Sequence, residues 1–121
     1  MSIDFFKPAW ESFSVWPNLP TIAVLQLQAD GLTVNLTGVT LGLSIVDHMG
    51  RSIARGTTED TPDLITIDDA VAGKVRVTFP STVANSVPKG RTADYRLWFQ
   101  DDEDQEIPLI YGELVSKNHA G

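Results

Sequence analysis

Residues 72–115 read AGKVRVTFPSTVANSVPKGRTADYRLWFQDDEDQEIPLIYGELV, and this stretch decides the fold. Val75, Val77 and Phe79 alternate with Lys74, Arg76 and Thr78, the period of a strand with one buried face. Pro80 and Ser81 break the alternation, and Thr82 to Val87 has room for a single helical turn. Pro88, Lys89 and Gly90 turn the chain back. Tyr95, Leu97 and Phe99 then alternate with Arg96, Trp98 and Gln100 in a second strand. Asp101 to Glu106 reads as a charged hairpin loop, and Ile107 to Val115 as the returning strand.

Strand, short crossover with a helical turn, strand, hairpin, strand is the closing order of an immunoglobulin-like sandwich, with an edge hairpin at the end. The upstream chain has the same grain. Thr21 to Gln28 reads as a strand in which Ile22 and Val24 set one face and Leu25 and Leu27 the other. That change of phase predicts a bulge or burial on both faces. Asp30-Gly31 is a turn signal, and Val34 and Leu36 add a short strand. Leu41, Leu43 and Ile45 alternate with Gly42 and Ser44, His48-Met49-Gly50 turns the chain, and Arg51 to Thr57 pairs back. Thr58 to Asp63 is a loop, Leu64 to Ile67 a short strand, and Ala70 to Gly73 a turn. The expected fold is all-β, an antiparallel Ig-like β-sandwich of seven to nine short strands spanning residues 21–115. Residues 1–20 form an aromatic, proline-containing N-terminal arm, and residues 116–121 a small polar tail.

The arm holds Phe5, Phe6, Trp10, Phe13 and Trp16, five of the ten aromatics of the chain, between Pro8, Pro17 and Pro20. Proline disfavours helix and central strand alike, which leaves Phe13 and Val15 as a short edge strand. Two readings stay open: an arm folded over its own sandwich, or one docked on a neighbouring subunit, where aromatics are enriched.

Composition narrows the function. A chain of 121 residues makes one domain and buries about 65% of its unfolded surface. The net charge of −7 comes without a basic cluster, which argues against nucleic acid and against an anionic membrane surface. With no cysteine there are no disulfides, no thiol catalysis and none of the commonest zinc sites. The first residues carry Asp4 and Lys7 and do not read as a signal peptide, and no apolar run is long enough to span a bilayer.

Candidate chemistry is sparse. Asp101, Asp102, Glu103, Asp104 and Glu106 make an oxygen-rich run, but it lacks the glycine and ligand spacing of a calcium loop. A solvated tip that discourages edge pairing explains it as well. Glu59, Asp60, Asp63, Asp68 and Asp69 lie in polar segments with nothing to mark a cleft. His48 lies beside Asp47 in a turn and His119 in the tail, with no nucleophile motif near either. Trp98 points away from Tyr95, Leu97 and Phe99, which makes it either a second buried layer, covered for instance by the arm, or a stacking platform. No catalytic residue, cofactor site or metal site is assigned. The interface candidates are Phe5, Phe6, Trp10, Trp16 and Trp98.

A resemblance carries the reading further. Gly73 to Phe79, the Ser-led turn Ser81 to Val87, Gly90, the strand Tyr95 to Phe99, the acidic hairpin and Ile110 to Val115 resemble the small β-sandwich domains of tailed-phage structural proteins. Baseplate upper proteins and fibre-associated proteins carry such domains. Val34 to Ile53, VNLTGVTLGLSIVDHMGRSI, is similar to an upstream segment of that family, with Asn35 where Asp is more usual and Leu36, Thr37 and Gly38 matching. The resemblance covers roughly residues 31–115 and rests on fold-building residues. It implies a non-enzymatic virion component of tail, baseplate, fibre attachment or head surface, made in the host cytoplasm. Its implied partners are other virion proteins and a second copy of itself. A carbohydrate-binding module for host surface glycans is the alternative. A small enzyme or metal-dependent domain is the remaining rival.

Overall fold

The alternation at 74–79 sorts the side chains as the sequence predicts. Val75, Val77 and Phe79 are buried, while Lys74 and Arg76 are exposed. The computed structural model describes residues 2–4, 9–29, 32–87, 91–100, 103 and 105–117. Its strands are β1 (Ser2–Asp4), β2 (Ala9–Trp10), β3 (Phe13–Val15), β4 (Thr21–Ala29), β5 (Leu32–Thr33), β6 (Thr40–Val46), β7 (Ser52–Thr57), β8 (Ile65–Asp69) and β9 (Lys74–Phe79). A single helical turn, α1 (Ser81–Asn85), leads into β10 (Thr92–Gln100) and β11 (Glu106–Ser116).

The strands form two sheets. One has the order β1-β4-β9-β8, with β5 paired to β4. The other has the order β2-β11-β10-β6-β7, with β3 also paired to β11. Most pairings are antiparallel, and the chain is an all-β sandwich. The run β4-β9-β8 follows the B-E-D order of an immunoglobulin sheet, and β11-β10-β6-β7 follows G-F-C-C′. The seven strands of five residues or more match the expected number, and the four others among the described residues are pieces of two or three residues.

Pro80 cannot continue β9 and instead starts α1, whose first turn is closed by Val83 N and Ala84 N donating to the Pro80 carbonyl. Val83, Ala84 and Val87 are buried as the chain crosses from one sheet to the other. Leu25 and Leu27 of β4, Ile65 of β8 and Val75, Val77 and Phe79 of β9 form one core with side chains of the opposite sheet. Those are Leu41, Leu43 and Ile45 of β6, Tyr95 and Leu97 of β10, and Ile110 and Leu114 of β11. Each such aliphatic side chain contributes about 1.5–3 kcal/mol by leaving water.

Three expectations are corrected. β4 has neither a bulge nor two buried faces: it pairs with β9 from Thr21↔Phe79 to Gln26↔Lys74 without a shift. Ala23, Leu25 and Leu27 point to the core, and Ile22 and Val24 stand outward in solvent, 60% and 52% exposed. The small inward Ala23 had hidden the regular period. The short strand expected at Val34 and Leu36 lies instead at Leu32–Thr33, paired with β4. Leu36 is buried by a turn in which the Asn35 side chain accepts from Thr37 N at 3.0 Å, with Gly38 at φ +79°. The β10–β11 hairpin is not an edge hairpin, because β2 and β3 run parallel to β11 and cover its outer side.

The arm is therefore built into the sheet. Ala9 and Trp10 align with Ile110 and Tyr111, and Phe13, Ser14 and Val15 with Leu114, Val115 and Ser116. Between these pieces the Glu11 backbone crosses Gly112, where an added Cβ would lie 1.7 Å from the Glu11 carbonyl oxygen. That carbonyl accepts a hydrogen bond from Tyr95 Oη. Burial, with a smaller contribution from the charge of Glu11, raises the Tyr95 phenol above its ordinary range, so it stays a donor. Phe13 joins Phe79 and Tyr95 in an aromatic cluster, with centroids 5.5 to 5.7 Å apart. At the arm's end Asn18 N donates to Asn85 Oδ1 at 2.8 Å, tying it to α1. Ser116 still belongs to β11, and Lys117 N donates to the Val15 carbonyl.

Candidate functional site

Of the side chains singled out by sequence, the outer face of the β2-β11-β10-β6-β7 sheet brings together Trp10, Trp98 and Glu106. Cross-strand register sets its layout. Trp98 lies opposite Gly42 on one side and Pro108 on the other, with a register shift in β11 beside it. Arg96 lies opposite Ser44 and Tyr111, and Tyr111 lies beside Trp10. Asp94 lies opposite Val46 and Glu113.

One half of this face is sealed. Trp98 points outward as expected, yet it is only 1% exposed and stands apart from the main core. Its indole fills the space above Gly42, where an added Cβ would come within 2.2 Å of the ring. The guanidinium of Arg55 lies 4.4 Å from the ring centroid and that of Arg96 5.5 Å away. Both arginines pair with the Glu106 carboxylate, Arg96 at 2.9 Å. Among the described residues Trp98 is thus covered by cations, and its Nε1 has no hydrogen-bond partner there. Glu106, read from sequence as part of a loop, opens β11 and ties this cover together.

The other half is open. Trp10 is 55% and Tyr111 43% exposed, and their rings meet edge to face at 5.5 Å and 83°. Beside them lies a hollow of about 470 Å³ lined by Ser44, Val46, Asp94, Tyr95, Arg96 and Tyr111. Tyr111 and Val46 were not singled out by sequence. The parity of Ile110, Gly112 and Leu114 already places Tyr111 outward, but its neighbour Trp10 comes from the opposite end of the chain.

The remaining candidates do not converge. Phe5, Phe6, Asp101, Asp102, Asp104 and His119 lie outside the described residues. Trp16 is exposed near the end of the arm and has an interaction partner. The Asp47 carboxylate closes its own turn, accepting from Met49 N and Arg51 N at 2.9 Å and pairing with Arg51, not His48. The Arg51 backbone bond foremost holds its carboxyl below the usual carboxylate range. Asp60 is likewise held low by Thr57 N, and Asp68 pairs with Arg76 at 3.0 Å. Among the described residues no three His, Cys, Asp or Glu side chains stand together as metal ligands. No helix among them is long and apolar enough to cross a membrane.

No protein-family model matches the chain, and no curated protein matches it in sequence. A solved structure does match it in fold. The N-terminal domain of phage TP901-1 ORF48 aligns with a TM-score of 0.62 at 10% identity, over 96% of this chain and 94% of that one. At that identity the likeness is one of architecture, and it runs almost end to end, arm included.

Proposed function

We propose that this chain is a non-enzymatic structural component of a phage virion that works by docking on neighbouring virion proteins. The observation that carries the reading is the end-to-end likeness to the N-terminal domain of a phage protein. The upstream LTG segment and the G-x-V-x-V strand resemble tailed-phage sandwich domains independently of it. Two surface features support docking over chemistry. Ile22 and Val24 stand exposed on the outer face of β4, and Trp10 and Tyr111 on the opposite sheet, an apolar display suited to a partner surface. The carboxylates of Asp47, Asp60 and Asp68 are taken up by turns and arginines. Within this reading, the partners are other virion proteins or further copies of the chain, and its place is the tail, baseplate, fibre attachment or head surface.

The test is quantitative mass spectrometry of gradient-purified particles from a phage encoding this chain. Recovery at a fixed copy number per particle supports the proposal. Presence in the infected lysate but absence from the particles overturns it.

A further inference from the structure

We propose that the hollow beside Tyr111 and Trp10 is a binding subsite for one pyranose ring of an uncharged glycan. A sugar ring offers apolar C–H faces and a rim of hydroxyls, and a site for it needs aromatic surface with polar groups at its edge. The hollow has both. The Tyr111 ring borders it, with Trp10 set edge-on against that ring. Asp94 and Ser44 lie on its wall, and the Asp94 side chain makes no hydrogen bond or ion pair among the described residues. A carboxylate accepts from two adjacent hydroxyls at once. Arg96 Nη2 bonds to Glu106, which fixes the guanidinium and leaves further N–H donors for a ring or hydroxyl oxygen.

Size and rigidity agree with this use. About 470 Å³ falls within the range of about 300–1,000 Å³ typical of small-molecule sites. Tyr111, Asp94, Arg96 and Ser44 all stand on paired strands, so their backbones are placed before the ligand arrives. The net charge of −7 and the carboxylates of Asp94 and Glu113 on this face disfavour acidic sugars. The Trp98 ring takes no part, since it has no face to offer.

The experiment is an NMR titration of the full isotope-labelled chain with methyl glycosides of glucose, galactose, rhamnose and N-acetylglucosamine, with sialic acid as the acidic comparison. The expected result is saturable shifts at Trp10, Asp94, Arg96 and Tyr111 with at least one neutral glycoside, and an unmoved Trp98 indole signal. Asp94→Asn, an exposed change that preserves shape, weakens binding about tenfold, and Tyr111→Leu does so at least as much. The proposal is overturned if no neutral probe gives a saturable shift. It is equally overturned if the shifts survive both substitutions in variants whose spectra remain those of the folded chain, or if sialic acid binds most tightly.

Discussion

Two tryptophans share one face of one sheet and have opposite fates. Trp98 is roofed by Arg55 and Arg96, held together by Glu106, above a glycine that leaves room for its ring. Trp10 rides on a strand added by the arm and stands open beside Tyr111 and the hollow. The difference is not in the residue but in what long-range pairing brings next to it. Aromatic residues on an outward strand face become structure where cations cover them, and become available surface where none does.

That comparison can be broken at either end, and the largest effect lies at Gly112. Gly112→Ala places a methyl group against the Glu11 backbone, so β2 and β3 must lift from β11. Overpacking against backbone is expected to cost about 3 kcal/mol. Denaturant unfolding reads the loss, and rapid proteolysis near residues 9–16 shows that the open half has come apart. Gly42→Ala attacks the sealed half, where the Trp98 indole must move to admit the new methyl group. The expected loss is about 2 kcal/mol, accompanied by a red-shifted Trp98 emission.

A smaller change tests how the arm is held. Tyr95→Phe removes the bond to the Glu11 carbonyl and is expected to cost about 1 kcal/mol. It also alters the pH profile. The folded phenol titrates above its unfolded value near 10, so its stabilisation is complete below that pH and is lost as pH rises through the folded value. The wild-type chain should therefore lose stability above pH 10 faster than Tyr95→Phe does, as followed by urea midpoints from pH 8 to 11. The smallest effect is at Glu106→Gln. These ion pairs are half in solvent, so the change costs about 0.5 kcal/mol, yet it loosens both arginines and should raise acrylamide quenching of Trp98.

Much of the sandwich was legible in the sequence because the strands of its second half alternate cleanly and Gly or Pro marks the turns. Val75 to Phe79 carries one buried face, and so does Tyr95 to Phe99 apart from the covered Trp98. Leu36 to Gly38 matched a segment of the resembled family, but the strand expected at Val34 and Leu36 hid the turn that the Asn35 side chain closes there. What was not legible depends on contacts distant in sequence. No local pattern announces that β3 lies parallel to β11, or that Arg55 covers Trp98. In β4, both faces hold apolar side chains, so the period alone could not say that Ile22 and Val24 are the ones left in water. The arm posed the same difficulty. Of its described aromatics, Phe13 packs against Phe79 and Tyr95, while Trp10 and Trp16 are exposed.

The division of the face into a sealed half and an open half is tested most directly on the unmodified protein in solution. Paramagnetic relaxation by a soluble, uncharged gadolinium chelate reads the exposure of each tryptophan indole N–H, with Trp→Phe variants assigning the signals. The Trp98 signal should be nearly untouched, while that of Trp10 broadens strongly. Equal broadening of the two would contradict the account, because Trp98 would then be as open to solvent as Trp10.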